Sequence, residues 1–228
     1  MESTTFPLDI AKGSLLEEGF VDLRDPKVGE HVWEFERKEF PFHTEEGMDF
    51  LHQHILGNPG IRSIVEWFFG DKRCILAHCL RYGPLPGHIE CFLTGGKDAG
   101  RRALMFHLLA KGSRVDYYAY SHLHAFTTEK GGRSTHEMSR SALRDAGCEV
   151  RHKDFTIGGS VILDARLGLE IGAGYAITVV FVTEDLVAGL PKMSLPNLPG
   201  LKEKVAGMQS KKIGLNFVFE GSTGSTGT

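Results

Sequence analysis

The stretch from Ser160 to Asp185 constrains the fold of this chain more than any other part of its sequence. It is dominated by β-branched and other apolar residues, and the segment GLEIGAG (residues 168–174) divides it. Branched side chains favour extended backbone, whereas closely spaced glycines favour turns. We therefore expect a long hairpin here, and with it a protein whose core is an antiparallel sheet.

Composition and charge exclude several classes of partner. Of the 228 residues, 41% are apolar and 24% charged, which is typical of a folded domain. The formal net charge of −3 provides no overall attraction to nucleic acid or to an anionic membrane. No apolar run reaches the ~18 residues of a membrane span. The N-terminal sequence MESTTFPLDIAKG lacks the basic and apolar regions of a secretory signal, and the four cysteines form no CxxC pair. These features predict a cytoplasmic protein with reduced thiols.

The first part of the chain is predicted to contain a strand, a helix, a two-stranded hairpin and a further strand. HVWEFERKEF (residues 31–40) alternates apolar and polar side chains, which is typical of a strand. A helix is expected from Thr44, a good N-cap residue, to Leu56. Residues 63–83 contain two apolar runs around a Gly-Asp-Lys turn and predict a hairpin, and HIECFLT (residues 88–94) predicts the next strand.

The middle of the chain is predicted to form a crossover. The stretch TGGKDAGRRAL (residues 94–104) follows a strand, and residues 101–111 have helical composition with a broad apolar face. RVDYYAYSHLHAF (residues 114–126) then predicts a strand. The order strand, glycine loop, helix, strand is typical of a connection between parallel strands.

The last part is predicted to contain a capped helix and further strands. Ser134, with a Glu three residues later, forms a capping box for a helix that ends at Gly147. CEVRHKDF (residues 148–155) predicts a strand, and after three prolines a short helix (residues 201–211) and a strand (residues 215–220) follow. The fold class predicted from this order is α+β, with a largely antiparallel twisted sheet flanked by helices.

The glycine loop has the chemistry of an anion site. Glycine allows the backbone to approach a ligand, and the start of a helix presents unpaired N–H groups with a partial positive charge. Lys97, Arg101 and Arg102 add positive charge at that end. An ordinary loop with solvent-facing basic side chains is the alternative, and the stretch matches neither GxxxxGK[ST] nor GxGxxG.

The order of these elements resembles the GCN5-related N-acetyltransferase (GNAT) superfamily. GKDAGRRALMFHLLAKG (residues 96–112) is similar to the family's pyrophosphate-binding loop and helix, and SRSALRDAGCEV (residues 139–150) to a later helix that ends in Gly before a strand. The resemblance implies a GNAT-like mixed sheet with a C-terminal extension. The implied segments are a lead-in (residues 1–29), an acyltransferase domain (30–186), a Pro-containing linker with a short helix and strand packed on that domain (187–220) and a flexible tail (221–228).

The resemblance also implies a reaction and its site. Acyl transfer from acetyl-CoA or another acyl-CoA to an amine would proceed by direct attack on the thioester, with no metal. The general base would be Glu90, with His88 on the same strand face, and Tyr118 or Tyr120 would replace the acid whose family position Leu143 occupies. The residues implied to hold the acyl-CoA are Phe92, Leu93, Thr94, Gly95, Gly96, Lys97, Gly100, Arg101 and Arg102. A solvated or ion-paired Glu90 and tyrosines that merely pack in the sheet are the alternatives.

The eleven histidines include two HxH pairs. His122 and His124 would share one face of a strand and could bind a metal, with Glu129, His136 or His78 to complete the site. We expect His122 instead to line a cleft and assist proton transfer. The other pair, His52 and His54, lies in a predicted helix, where residues two apart diverge.

Three functions are therefore open at this point. The first is an acyl-CoA-dependent N-acyltransferase acting on a small-molecule or peptide amine. The second is a non-catalytic α+β protein for binding or assembly, and the third is a metal-dependent enzyme that uses an HxH pair. No nucleic-acid or membrane partner is expected, and a homo-oligomer is left open.

Overall fold

The computed structural model of the chain describes residues 8–23 and 25–221, so most of the expected tail lies outside the described residues. The described α-helices are α1 Leu8–Glu17, α2 Pro26–Arg37, α3 Glu45–Leu51, α4 Pro59–Phe69, α5 Arg140–Asp145, α6 Glu184–Val187 and α7 Pro199–Met208. The described strands are β1 Phe20–Asp22, β2 Cys74–Tyr82, β3 Ile89–Cys91, β4 Ala103–Leu109, β5 Ser113–Ala119, β6 Thr128–Lys130, β7 His136–Met138, β8 Glu149–Phe155, β9 Gly159–Asp164, β10 Gly168–Ala173, β11 Ala176–Thr183, β12 Met193–Leu195, β13 Ile213–Leu215 and β14 Phe217–Phe219.

Two six-stranded sheets form the body of the protein. The first sheet has the order β1-β9-β4-β11-β2-β13, and the second has the order β6-β7-β3-β10-β5-β8. Most neighbours are antiparallel, and β13 joins β2 in parallel. The strands from β2 to β5 and again from β8 to β11 alternate between the sheets, in the manner of a double-sheet jelly roll, whereas β5 to β8 all lie in the second sheet. β12 and β14 form a separate parallel pair.

The strands of the first sheet are buried on both faces. In β4, one set of side chains packs between the two sheets, and the alternate set packs against helices. The inward set is Ala103, Met105 and Leu109, and the outward set is Leu104, Phe106 and Leu108. The helices α1, α2, α3, α4 and α7 contribute to the outer cluster, and we call them the helical layer. A strand that is covered on both faces is apolar throughout, without alternation.

This double burial explains why the helix predicted at residues 101–111 is wrong. After Gly96 the chain makes only a 3₁₀ turn, Lys97–Ala99, and then enters β4. The run ALMFHLL contains good helix formers, but tertiary packing in the centre of the sheet outweighs this propensity. The predicted crossover helix is therefore absent. The helix N-terminus that was expected to bind a phosphate is absent with it.

The strand predicted at residues 31–40 is also wrong, because this segment belongs to α2. The Asp25 side chain accepts a hydrogen bond from the Lys27 N–H at 3.0 Å, and Pro26 follows the cap. Val28, Val32 and Phe35 then recur on one helix face and are buried. The first half of the hairpin predicted at residues 63–83 is likewise a helix, α4, whereas its second half is β2.

Two predictions about the later part of the chain need correction. Ser134 has a left-handed φ of 61°, so it cannot cap a helix, and the helix instead begins after Ser139. The long hairpin is three strands, because β9 and β11 both pair with β4 while β10 lies in the second sheet.

Other predictions are confirmed. The helix that begins after Thr44 is capped by that side chain, which accepts from the Gly47 N–H at 3.2 Å. The strands at residues 88–94 and 148–155 and the C-terminal helix are present as β3, β8 and α7. The α+β class with large antiparallel sheets is confirmed. All four cysteines are free thiols, and none of the described helices has the length and apolar character to cross a membrane.

Candidate functional site

The glycine loop is a structural connection that presents a carbonyl group to a buried arginine. Arg166 donates from Nη1 to the Gly96 carbonyl and holds Asp164 through two hydrogen bonds of 2.8 and 2.6 Å. A Cβ on Gly96 would lie 2.5 Å from the Ala125 nitrogen, and its φ is 57°. Close packing against the Ala125 backbone and a left-handed backbone conformation therefore require glycine at position 96 without any ligand.

The basic side chains of this loop do not converge on a ligand. The Arg101 guanidinium lies 4.8 Å from the Trp67 ring of α4, and Arg102 forms an ion pair with Asp185. Lys97 is exposed, and Gly95 and Gly100 serve only the left-handed turn. The predicted phosphate role thus lacks both the helix start and the cluster of charge that it depends on.

The backbone N–H groups at the end of β3, which were expected to polarise a thioester carbonyl, already form hydrogen bonds within the protein. The backbone N–H groups of Phe92 and Leu93 both donate to the Ala165 carbonyl, at 2.9 and 2.8 Å. The Phe92 side chain is buried between the sheets, and Thr94 is half-buried. These N–H groups are not available to a substrate.

The two residues expected to act as base lie in different surroundings. Glu90 is 8% exposed and points between the sheets, where Thr135 donates from Oγ1 to its Oε1 at 2.5 Å. His88 is largely exposed, and its Nδ1 lies 2.9 Å from an Oε1 of Glu137.

The two candidate tyrosines are on opposite sides of the second sheet. The Tyr118 hydroxyl accepts from Arg140 Nη1 at 2.6 Å and packs with Leu143 outside the sandwich. Burial raises the pKa of Tyr118. Tyr120 has a left-handed φ of 71° and packs against the cluster between the sheets. They do not form one site.

The HxH residues do not share a metal in this arrangement. His122 and His124 flank the end of a 3₁₀ turn, not a strand, so their side chains do not alternate as expected. His122 is buried and donates from Nε2 to the Leu16 carbonyl at 3.3 Å, and its burial lowers its pKa. His124 is exposed beside Phe126. Among residues 8–23 and 25–221, no three His, Cys, Asp or Glu side chains are grouped so as to hold a metal ion.

The mouth of the sandwich, where Glu90 lies, is nearly filled. We use this name for the space between the sheets lined by Tyr82, Gly83, Leu85, Glu90, Cys91, Phe92, Met105, Thr135, Leu169 and Ile171. Its volume is about 10 Å³, which is the room of one water molecule. No small organic molecule can enter it in this conformation.

A second cavity is open and much larger. It lies between the helical layer and the edge of the first sheet at β1 and β9, has a volume of about 880 Å³, and we call it the helix-side cavity. Its lining is Ser14, Glu18, Phe20, Val21, Asp22, Leu23, Asp25, Lys27, Val28, His31, Gln53, His54, Asn58, Gly60, Ile61, Ile64, Lys153 and Ser160. This volume is in the range of small-molecule sites.

Two imidazoles from different elements meet in its wall. His31 comes from α2, and His54 comes from the π-helical segment His52–Leu56, a distortion that is frequent at functional sites. His31 Nδ1 lies 3.1 Å from His54 Nε2, so one ring donates and the other accepts. Burial lowers the pKa of His54 to about 4, with a smaller effect from His31. His54 is therefore neutral at pH 7. We call these two residues the imidazole pair.

The fixed charges around the cavity are largely paired. Arg151 donates to Glu18 at 3.1 Å, and Lys153 lies 3.6 Å from Asp22. Asp25 caps α2, as Asn58 caps α4 through the Gly60 and Ile61 N–H groups at 3.0 and 3.2 Å. The imidazole pair is thus the group in this wall whose hydrogen bond can reverse its direction, since either ring can donate to the other.

Sequence reasoning missed this cavity, although a signal was present. Asp25-Pro26 and Asn58-Pro59 are N-cap residues followed by proline at the first helical position. These dipeptides predict the two helices whose starts border the cavity. The approach of His31 to His54 depends on tertiary packing and has no local signal.

Comparison with known proteins gives a fold but no sequence relative. No family model matches the chain, and no curated protein matches it. Among solved structures, it is similar to the epimerase SnoN in complex with Fe³⁺, alpha ketoglutarate and nogalamycin RO, with 13% identity, a TM-score of 0.53 and coverage of 77% of this chain and 83% of that one. It is also similar to AviO1 from Streptomyces viridochromogenes Tue57, with 13% identity, a TM-score of 0.50 and coverage of 80% and 97%. EctD from S. alaskensis with 2-oxoglutarate and 5-hydroxyectoine has 9% identity, a TM-score of 0.50 and coverage of 81% and 79%.

These neighbours correct the first hypothesis. They are not acetyltransferases, so the GNAT resemblance, the GNAT-like fold and the acyl-CoA-dependent N-acyltransferase function are wrong. The expectation of acetyl-CoA without a metal is also wrong, since the similar proteins bind Fe³⁺ or 2-oxoglutarate. At these identities the likeness establishes the fold alone.

The described residues do not fit an iron centre with 2-oxoglutarate between the sheets. A non-heme iron centre of this general kind needs two histidines and a carboxylate that converge, with open positions beside them. Glu90 is the carboxylate in the mouth, and its inward-facing neighbours Phe92, Leu169 and Ile171 provide no metal ligand. The space of about 10 Å³ also leaves no room for a dicarboxylate.

Proposed function

We propose that this chain binds a small polar molecule in the helix-side cavity, where the imidazole pair hydrogen-bonds that molecule and exchanges a proton with it. The observation that carries the proposal is a cavity of about 880 Å³ with two imidazole rings in contact in its wall. A site of this size can bury most of a small ligand, and a few convergent polar groups can orient it.

The hydrogen bond within the pair couples the ligand-facing nitrogen to a buried one. If His31 donates from Nδ1, its Nε2 is left as an acceptor, and if His54 donates from Nε2, the Nε2 of His31 carries the proton. When His31 Nε2 takes a proton from the ligand, its Nδ1 proton can pass to His54 Nε2 while His54 Nδ1 gives up its own proton, so both rings stay neutral and His31 changes from base to acid. Burial favours the neutral state of His54, so at neutral pH this ring relays a proton and does not keep a positive charge.

Ligand-observed NMR with a set of small carboxylates, amides and polyols tests the proposal. We expect bound members to lose their saturation transfer in Gln53→Trp, because Gln53 is an exposed residue of the cavity wall whose replacement fills the space. Leu198→Trp is the matched control, since Leu198 is exposed and is not part of the cavity lining. Equal signals from both variants would reject the cavity as the binding site.

A metal-dependent enzyme is the second candidate, and one observation favours it. Imidazole nitrogens bound about 2.0–2.1 Å from one ion lie roughly 3 Å apart, close to the 3.1 Å between the rings of the pair. The pair would supply two ligands, and water or the bound molecule would supply the others. Titration of apo protein with Zn²⁺ or Fe²⁺ separates the candidates, because only this one predicts stoichiometric binding that His31→Phe abolishes and His124→Phe retains.

A further inference from the structure

The mouth of the sandwich contains a buried carboxylate that the proposed function does not use. Glu90 is 8% exposed and has no cationic partner within the described part of the chain. The Thr135 hydroxyl donates a hydrogen bond of 2.5 Å to its carboxylate. A carboxylate removed from water is costly unless a positive charge or several donors compensate it. Its position therefore calls for a positive group.

The surroundings of Glu90 are negative and aromatic. Glu90, Glu137 and Glu129 lie directly opposite one another across three neighbouring strands, an arrangement that like charges disfavour. His88 Nδ1 forms a hydrogen bond of 2.9 Å with Glu137. The rest of the mouth is apolar and includes the rings of Tyr82 and Phe92. A carboxylate beside aromatic and aliphatic side chains is suited to an organic ammonium group with an apolar body.

A cation of the protein itself already occupies the edge of this space. The Arg133 guanidinium lies 5.4 Å from the centre of the Tyr82 ring, and its Nη1 donates to the Gly83 carbonyl at 2.9 Å. The Tyr82 hydroxyl in turn donates to the Arg133 carbonyl at 3.1 Å. Burial raises the pKa of Tyr82 to about 12, and Glu90 and Arg133 act on it in opposite directions. Both charges are therefore close to one ring.

Arg133 belongs to a short turn that covers the mouth. Residues 131–135 join β6 to β7, and we call them the lid turn. Arg133 and Ser134 have left-handed φ values of 56° and 61°, which side chains other than glycine rarely adopt. The contacts of Arg133 with Gly83 and of Thr135 with Glu90 hold this turn in place. Hydrogen bonds between Thr135 and both Gly131 and Gly132 close the turn internally. The strained turn can therefore move as a unit once its contacts with Tyr82, Gly83 and Glu90 break.

From these observations we infer a second binding site, for an organic ammonium ion, at the mouth of the sandwich. The ammonium group pairs with Glu90 and lies against Tyr82, and its apolar body occupies the space that opens beside Met105 and Leu169 when the lid turn moves away. Before the ligand binds, the Arg133 guanidinium occupies a position near Tyr82 that the ammonium ion would take. Binding of the ammonium ion displaces the lid turn. This site is separate from the helix-side cavity and does not depend on the function proposed there.

Calorimetry with 2-phenylethylammonium chloride tests this inference, with neutral 2-phenylethanol as the matched probe. Glu90→Gln keeps the shape of the side chain and removes its charge, so we expect affinity for the ammonium ion to fall at least about tenfold. Arg133→Ala removes the competing cation and should increase affinity several-fold. Arg144→Ala, at an exposed position on α5, is the control and should leave affinity unchanged.

Two results would overturn the inference. One is equal affinity of wild-type protein for the ammonium ion and the alcohol, and the other is unchanged ammonium binding in Glu90→Gln. Tyr82→Phe gives an independent check, because it removes the hydroxyl that bonds the Arg133 carbonyl and retains the ring. It should speed ammonium association without weakening the final complex, and an unchanged association rate would contradict the lid role.

Discussion

The mouth of the sandwich and the helix-side cavity lie on opposite faces of the first sheet, and they differ in almost every physical respect. The mouth has apolar walls, one buried carboxylate and the room of one water. The helix-side cavity has about 880 Å³, walls of mixed polar and apolar side chains, and a pair of hydrogen-bonded imidazoles. A shared fold therefore does not fix where a ligand binds. In this chain the space between the sheets is packed as a core, and the open space lies under the helical layer.

Matched truncations should give the largest difference between the two regions. Ile171 in the mouth and Ile61 in the cavity wall are 5% and 6% exposed. We expect Ile171→Ala to cost about 4 kcal/mol of unfolding free energy, because it leaves an empty space in a closed core. Ile61→Ala should cost about 2 kcal/mol, since water can fill the space beside an open cavity. Urea unfolding measures both, and equal costs would mean that the cavity is closed in solution.

Acid should weaken the cavity side through His54. The pKa of His54 is lowered by burial to about 4, from an ordinary value of 6.5. The unfolded chain therefore binds the proton first, and stability falls as pH decreases from 6.5 to 4 and levels off below. Between pH 7 and pH 4.5 we expect His54 to account for roughly 2–3 kcal/mol of this loss.

The control for this effect is a variant that cannot titrate. His78 and His107, whose pKa values burial also lowers, will keep part of the acid dependence in any variant. His54→Phe should thus show a shallower decline of unfolding free energy with acid than wild-type protein. Parallel curves for the two proteins would show that His54 is not buried as described.

Enlarging a buried side chain, the opposite change to a truncation, should also distinguish the two regions. Val161 packs between the sheets with no exposure, whereas Val28 borders the helix-side cavity. Val161→Leu should lower unfolding free energy by about 1–2 kcal/mol, because a packed core resists an extra methylene. Val28→Leu should change it by less than about 0.5 kcal/mol, since the side chain can extend into open space. Thermal unfolding of the two variants is sufficient to rank them.

The glycine loop should show the smallest effect. Lys97 is exposed, so Lys97→Ala should alter the free energy of unfolding by no more than about 0.5 kcal/mol. Gly96→Ala should lower the free energy of unfolding more than Lys97→Ala does, because the added Cβ would clash with the Ala125 backbone. A large loss of unfolding free energy in Lys97→Ala would contradict this description, and a functional role for the loop would have to be considered again.

The sequence predicted the β-rich character and several strands, but it could not predict their partners. The run at residues 160–183 is strongly extended, yet its strands belong to two sheets, and only long-range pairing decides that. ALMFHLL in β4 has helical composition and becomes a strand because both of its faces are covered. Local propensity is a weak guide where tertiary burial is complete.

The residues of the candidate sites, like the strand partners, could be predicted only in part from the sequence. Glu90 was identified from its place on a strand, and its burial beside Thr135 makes it a stronger candidate for binding than for the role first expected of it. The Asp-Pro and Asn-Pro dipeptides could have indicated α2 and α4 and so removed the strand predicted at residues 31–40. The contact of His31 with His54 joins positions 23 residues apart through packing, and no local pattern encodes it.

The most direct test of the helix-side cavity as the functional site is protein-observed NMR of the histidine rings during titration with the same set of small polar molecules. We predict that bound molecules shift the ring signals of His31 and His54 together, while those of exposed His124 and of His107 between the sheets stay in place. Shifts at His107 without any change at His31 and His54 would contradict the account, because they would place the ligand between the sheets.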